Sequence, residues 1–384
     1  MTSLPKPSAE ALAHSRQLSM LIRAEIEAAG GWMDFARYMH LALYAPDLGY
    51  YSGGAKKFGQ DGDFVTAPEI SPLFAQTLAK QVTQILQLTA GDILELGAGT
   101  GRLAAALMLE LQQLGQLPAR YQILEVSAHL RQIQHETLQQ ELPPELMRCV
   151  QWLDNLPDTF NGLVLGNEVL DALPVHIVKS SGDGLFERGV TWGDDTFAWA
   201  ERPLTSGALF EQANKLNLPP DYTTELCPAA TGLVASLANS LQQGALLFVD
   251  YGFSRREYYH PQRSQGTLMC HYRHYAHDDP FFHPGLQDIT AHVDFTSIAE
   301  VAVANGLQLL GYSGQAQFLI NCGITEILAK VSSSDTPTYL PLAAQAQKLL
   351  SPAEMGELFK VIALGKDLNQ PLLGFASGDR SHTL

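Results

Sequence analysis

Residues 92–101, Asp-Ile-Leu-Glu-Leu-Gly-Ala-Gly-Thr-Gly, constrain the fold more than any other stretch of the chain. A short apolar run (Ile93, Leu94, Leu96) passes directly into Gly97, Gly99 and Gly101. Apolar residues at helical spacing follow: Leu103, Ala104, Leu107, Met108 and Leu111. The order is buried strand, glycine turn, helix. Without Cβ atoms the turn can bend tightly and admit a ligand to the backbone. The helix start offers free N–H groups and a positive dipole end to an anionic group. These features point to a nucleotide-like cofactor.

The glycine spacing narrows the choice. A dinucleotide fingerprint reads G-x-G-x-x-G, and here its third slot falls on Arg102. A P-loop is excluded because no Gly-Lys-Ser/Thr follows. The form Glu95-x-Gly97-x-Gly99-x-Gly101, ending a strand, resembles motif I of class I S-adenosylmethionine methyltransferases. A second strand, Tyr121-Gln-Ile-Leu-Glu-Val-Ser, ends with Glu125, about two dozen residues past Gly101. An acid at that offset can accept both ribose hydroxyls of a nucleoside. It can equally be an acid favoured by the following helix dipole. Ser127 is placed to cap that helix, over 128–140. Glu95 either meets the amino end of the cofactor or sits within the turn.

Composition removes several function classes. The chain has 384 residues, enough for one large or two ordinary domains, and a net charge of −16. Phosphate binding needs clustered Lys and Arg, so nucleic acid is disfavoured as a substrate. The acidic surface suits a basic target, or solubility alone. The four cysteines (149, 227, 270, 322) are far apart, with no C-x-x-C, so neither a zinc site nor a disulfide framework is indicated. Reduced thiols and a cytoplasmic location are expected. No apolar run approaches the length of a membrane span. The first 30 residues lack a compact signal core and read as an amphipathic helix stopped at Gly30-Gly31.

From residue 92 onward strands and helices alternate, which predicts a parallel, doubly wound α/β sheet. Strands are expected at 92–97, 120–126, 149–153, 162–167 and 244–250. Residues 175–204 break the alternation and predict three short strands, 175–180, 184–192 and 196–203, inserted into or beside the core. Helices are expected at 206–217 and 231–243. Residues 253–292 read as irregular. Asp294 is expected to cap a helix ending at Gly306, with two closing strands at 307–312 and 316–321 and a helical stretch over 338–365. The resulting organisation has an N-terminal helical cap with a cofactor-covering loop (1–85), a core (86–330) carrying an insertion at about 175–230, and a C-terminal helical extension (331–384).

Ligands of open α/β sheets bind at the carboxyl ends of strands. The fourth strand ends Gly166-Asn167-Glu168-Val169-Leu170-Asp171-Ala172-Leu173-Pro174. On a helical turn Glu168 and Asp171 would share a face. Two carboxylates there can orient a guanidinium through paired hydrogen bonds, or accept the proton lost when a nitrogen is methylated. They can also be ordinary helix-start acids. The Asn/Asp-Pro-Pro-Tyr pattern of enzymes acting on amide or ring nitrogens is absent, which argues against adenine or glutamine substrates. Tyr251, after Asp250, either walls a substrate channel or packs the sheet edge. His271, His274 and His277 lie beside Asp278 and Asp279, but no H-E-x-x-H pattern accompanies them, so they read as a satisfied polar loop and no metal is expected.

Several longer runs carry a more specific resemblance. They are Tyr44-Ala-Pro-Asp-Leu-Gly-Tyr-Tyr51, Gly62-Asp-Phe-Val-Thr-Ala-Pro-Glu69-Ile-Ser, the Glu95–Gly101 turn, Gly166–Pro174, Gly266-Thr-Leu, His277-Asp-Asp-Pro280, Gly285–Phe295 and Gln315–Gly323. Together the chain resembles the MidA family, methyltransferases linked to assembly of mitochondrial respiratory complex I, and their bacterial relatives. The resemblance implies a Rossmann-like class I methyltransferase fold with a mostly parallel seven-stranded sheet. It implies methyl transfer from S-adenosyl-L-methionine to a protein arginine, by in-line displacement, with Asn167, Glu168 and Asp171 at the acceptor. Glu95, Gly97, Gly99, Gly101 and Glu125 would hold the cofactor, and the Gly62–Glu69 loop would fold over it through Thr66, Pro68 and Glu69. Rival readings are a small-molecule methyltransferase, a non-catalytic assembly factor that keeps the cofactor site, and a nicotinamide oxidoreductase, which Arg102 disfavours. The sequence names neither the acceptor protein nor the oligomeric state.

Overall fold

The computed structural model describes residues 4–53 and 66–384. Its largest sheet has seven main strands, labelled in chain order: β1 (Asp92–Leu96), β2 (Tyr121–Leu124), β3 (Val150–Leu153), β4 (Phe160–Asn167), β5 (Leu241–Phe253), β6 (Gln308–Gly314) and β7 (Phe359–Lys366). Their spatial order is β6-β7-β5-β4-β1-β2-β3. Strands β1 to β5 pair in parallel, while β7 runs antiparallel to both β5 and β6. A two-residue strand, Val293–Asp294, adds in parallel to the end of β5.

The central strands form because their sequences are nearly continuous apolar runs. Ile93, Leu163, Leu165, Leu247, Val249, Val361 and Ala363 are all buried, as expected where both faces of a parallel sheet are covered. The helices Pro72–Thr89 and Arg102–Gln113 share that core through Leu78, Val82, Ile85, Ala104, Leu107 and Met108. Successive strands after β1 run outward through β2 and β3. The chain then returns to the other side of β1 as β4. The order therefore reverses between β1 and β4, the place where such sheets bind ligands. The register puts Leu96 opposite Gly166, so the glycine turn and the Asn167 end of β4 emerge side by side.

Compactness divides the described chain into two units, each assembled from separated segments. The sheet just described belongs to the unit of residues 66–170, Leu233–Arg255 and Val293–Leu384. The other comprises residues 4–53, Asp171–Gly232 and Arg256–His292. Its helices Ala9–Ala28 and Phe35–Tyr44 start at Ser8 and Asp34, whose side chains accept from the backbone N–H of Ala11 and Arg37. They bury Leu18, Ile22, Ile26, Phe35, Tyr38 and Met39 in one core. The expected three-strand meander is present as His176–Ser181, Gly184–Gly193 and Thr196–Pro203.

Four details differ from the sequence expectation. A further strand, Tyr222–Leu226, pairs with His176–Ser181. The stretch read as irregular holds a small sheet of Met269–Tyr272, Tyr275–His277 and Asp288–Thr290. Residues 316–321 are not the closing strand: Gln315–Asn321 is a helix whose Phe318 and Leu319 are buried. The strand expected there is supplied by Phe359–Lys366, which the sequence assigns almost wholly to the helical stretch over 338–365; the helix stops at Leu350. Short apolar runs do not separate strand from helix by periodicity alone. Among the described residues no helix is long and apolar enough to cross a membrane.

Because β7 is an interior strand, Ile362→Ala should cost about 2–5 kcal/mol in urea unfolding. The same change at the exposed Leu340 should stay within about 0.5 kcal/mol. Equal effects at the two positions would show that β7 is not a core strand.

Candidate functional site

The glycine turn adopts the backbone that its composition permits. Gly97, Gly99 and Gly101 all have positive φ, at 58°, 53° and 85°. Gly97 donates to the Leu124 carbonyl at 3.0 Å, tying the turn to the end of β2. Gly101 is the N-cap of the helix Arg102–Gln113, and no side chain caps that helix. Its opening N–H groups and dipole therefore face the end of β1 unclaimed by a capping residue. A Cβ at Gly101 would lie 3.2 Å from the Cα of Gln134, so the next helix would have to give by a few tenths of an ångström.

Glu95 is buried on β1 and accepts from the Tyr121 hydroxyl at 2.8 Å. Burial, aided by the nearby Glu125 charge, raises its carboxyl to about 7. Glu125, at the end of β2, is also buried and raised by desolvation. Its two oxygens accept from the Ser127 N–H and the Gln134 amide, each at 2.9 Å. Ser127 caps the helix Ala128–Glu141 as expected. Gln134, not singled out from the sequence, also donates to the Gly99 carbonyl at 3.1 Å.

The short helix Ala67–Ile70 reaches both sides of the switch point. Glu69 accepts from the Thr100 hydroxyl at 2.5 Å and pairs with the Arg102 guanidinium at 3.0 Å. The Ala67 N–H donates to the Glu168 carboxyl. Thr66 is the N-cap residue without a side-chain cap bond, and Pro68 lies in the first turn. The part of the expected covering loop at 62–65 lies outside the described residues.

At the end of β4 the helical turn expected over 168–171 does not form. Glu168 instead takes a left-handed conformation, φ 53°, and the chain turns without entering a helix. The reason is Asp250, fully buried on β5, whose Oδ2 accepts from the N–H groups of Val169 (3.1 Å) and Leu170 (2.8 Å). Its Oδ1 accepts from Tyr251 N–H at 2.9 Å. Glu168 and Asp171 thus do not share a helical face. Asp171 belongs to the other compact unit, where it is buried near the Tyr51 hydroxyl and its carbonyl accepts from Ala291 N–H at 3.0 Å.

Glu168 accepts from the Asn167 amide at 3.1 Å and the Tyr251 hydroxyl at 3.3 Å. Desolvation first, then the Asp250 charge, push its carboxyl up to about 8 against the pull of those bonds. The Asn167 Oδ1 is buried and has no partner among the described residues. The Tyr251 ring packs on Phe359 with centroids 4.0 Å apart, and its hydroxyl meets Glu168. This end of the sheet offers acceptors for a cationic, N–H-rich acceptor group.

The histidine segment lies in the other unit. His271 and His277 are on the two strands of a hairpin, and His274 sits with Arg273 at its turn, both with positive φ. Among the described residues no group of His, Cys, Asp or Glu side chains is arranged to hold a metal ion. Asp294 is the N-cap of the helix Phe295–Ala304, as expected.

Known proteins resemble this chain. The model of a family described as "Putative S-adenosyl-L-methionine-dependent methyltransferase" matches residues 77–313. The crystal structure of a Burkholderia thailandensis protein bound to S-adenosyl-homocysteine is 52% identical, covers 100% of both chains and superposes with a TM-score of 0.96. Among curated relatives, the mitochondrial protein arginine methyltransferase NDUFAF7 of Rattus norvegicus is 30% identical over 87% of this chain and 81% of its own. That of Danio rerio is 28% identical over 88% of this chain and 84% of its own.

Two glycines separate backbone strain from the packing of the turn against Gln134. Gly101→Ala and Gly115→Ala both place a side chain at positive φ, but a Cβ at Gly115 meets open space. Gly115→Ala should lose about 1–2 kcal/mol of stability, and Gly101→Ala at least as much because its Cβ also crowds Gln134. Only Gly101→Ala should weaken S-adenosyl-homocysteine binding, by about tenfold or more in calorimetry. Equal affinities would remove the turn from the cofactor site.

Proposed function

We propose that this chain, which belongs to the family of S-adenosyl-L-methionine-dependent methyltransferases, methylates the guanidinium of a protein arginine. The observation that carries the acceptor side is Glu168, fixed in a left-handed turn at the switch point, beside the unpartnered Asn167 Oδ1. The names of the mitochondrial relatives support the same reading.

The residues fit the cofactor. The glycine turn takes a positive-φ backbone at Gly97, Gly99 and Gly101, and the uncapped helix start offers N–H donors. Glu125 supplies an acceptor for nucleoside hydroxyls, and Glu95 and Glu69 bring negative charge beside the turn. When bound, S-adenosyl-L-methionine supplies a methyl group activated by its positively charged sulfur. The protein's part is placement and proton handling. Glu168 and Asn167 accept guanidinium N–H groups and aim the remaining nitrogen, which accounts for a large share of the rate. Glu168 then receives the proton that the methylated nitrogen releases. Tyr251 and Ala67 hold the carboxyl in place for both tasks.

Electrostatics set a pH dependence. A carboxyl raised to about 8 is mostly protonated at neutral pH in the free protein and must ionise to hold a cation. Activity at low substrate should therefore rise with pH and level off above about 8. Glu168→Gln should lose about 10²–10⁴-fold in activity and abolish that profile, with S-adenosyl-homocysteine binding kept. Stability moves the other way. The folded state holds this proton more tightly than the unfolded chain, so stability falls as pH rises from about 4.5 to about 8. Glu168→Gln escapes that loss, and its melting temperature should exceed the wild type's above about pH 8.

The substrate is tested by incubating the protein with methyl-labelled S-adenosyl-L-methionine and cell extract, then hydrolysing the products to amino acids. Label in methylarginine, absent with Glu168→Gln, is the expected result. Label in a small metabolite would overturn the arginine reading.

A further inference from the structure

We infer that Gln134 is a positioning residue of the cofactor site, fixing the Glu125 carboxylate and the glycine turn in one frame, with the Trp152 indole setting which way its amide faces. The inference rests on the reading of Glu125 as the acid that accepts the nucleoside hydroxyls.

Gln134 is completely buried in the helix Ala128–Glu141. Its Nε2 donates to the Glu125 Oε2 at 2.9 Å and to the Gly99 carbonyl at 3.1 Å. Its Oε1 accepts from the Trp152 Nε1–H, on β3, at 3.0 Å. An indole N–H can only donate, whereas a carboxylate and a carbonyl can only accept. A flipped amide would set Oε1 against two acceptors and its NH₂ against a donor. One orientation therefore survives, and both amide hydrogens are committed to the site. The same residue presses on the turn through its backbone, since its Cα lies 3.2 Å from where a Gly101 Cβ would stand. β1, β2 and β3 are thus locked together, at the carboxyl ends where a nucleoside would lie, by one side chain. Glu125 keeps acceptor capacity beyond the bonds from Ser127, Val126 and Gln134, since a carboxylate offers about four lone-pair sites.

The decisive variant is Gln134→Glu, which keeps the shape and exchanges the donor for a second carboxyl. Groups facing Glu125 are Glu95 from β1 and Arg131, whose Nε donates to the Glu125 carbonyl and whose Nη1 pairs with Asp154. His135 stacks against Trp152. At about pH 5.5 the two carboxyls can share a proton, and one O–H replaces the amide N–H. At about pH 8.5 both ionise and repel.

Calorimetry with S-adenosyl-homocysteine should find Gln134→Glu within a few-fold of wild type at the lower pH and about tenfold or more weaker at the higher. KM for S-adenosyl-L-methionine should rise with kcat nearly unchanged. Gln134→Met keeps His135 and adds no carboxyl; it should bind weakly at both pH values. Trp152→Phe frees the amide to rotate and should weaken binding about three- to tenfold; it carries the test if Gln134→Glu fails to fold. A Gln134→Glu affinity that does not depend on pH, or a Trp152→Phe protein that binds like wild type, overturns the inference. Glu125→Gln separates the two readings. If it binds as wild type, the nucleoside role of Glu125 falls. If it binds weakly while Gln134→Glu shows no pH dependence, only the role of Gln134 falls.

Discussion

The parallel pairing of β1 with β4 is the constraint on which the site depends. Leu96 opposite Gly166 brings two chain ends together that are far apart in sequence. One is the glycine turn. The other is Asn167-Glu168. Neither end would keep its direction alone. The uncapped helix Arg102–Gln113 leads the first away from the sheet, and Asp250 forces the second into a left-handed turn. The short helix Ala67–Ile70 then touches both, through Glu69 on Thr100 and Arg102 and through Ala67 on Glu168. A parallel sheet supplies this arrangement because every strand ends on the same edge and the strand order reverses only once.

That edge concentrates carboxyls. Glu95, Glu125, Glu168 and Asp250 lie at the ends of four strands, all removed from bulk water to a large degree. Burial and mutual repulsion raise Glu95 to about 7 and Glu168 to about 8. Such a site is costly when empty of cations. A positively charged cofactor and a guanidinium would each relieve it. The charge distribution therefore favours the ligands that the proposed reaction brings together, and does so before any specific contact is counted. The net charge of −16 extends the same bias to the whole chain and suits a basic protein target.

What the sequence made legible was local. The strand, turn and helix at 92–113 declare themselves because backbone and periodicity signals coincide there. The Ser127 and Asp294 caps and the 175–203 meander follow from neighbouring residues in the same way. The misread parts depend on distant partners. The turn at Glu168 is set by Asp250, whose bond to the Leu170 N–H spans 80 residues and which no pattern around Glu168 reveals. Phe-Lys-Val-Ile-Ala-Leu-Gly-Lys is a buried strand, but its apolar run has no period to exclude a helix. Tyr222–Leu226 carries a buried Glu225 whose partners, Tyr258, Thr267 and Leu268, all lie more than 30 residues further along the chain. Gln134 did leave a trace: it lies midway between Leu130 and Leu138 on one helical face, and both are buried. A polar residue in that row is a sign of a buried bond.

The proposed chemistry depends on the proton carried by Glu168. The most direct measurement is a ¹³C NMR titration of the side-chain carboxyls, with the Glu168 resonance assigned by its loss in Glu168→Gln. A midpoint at about 8 in the free protein, falling when an arginine-containing acceptor peptide binds, is the expected result. A midpoint at the ordinary value of about 4.3, unmoved by the peptide, would contradict it.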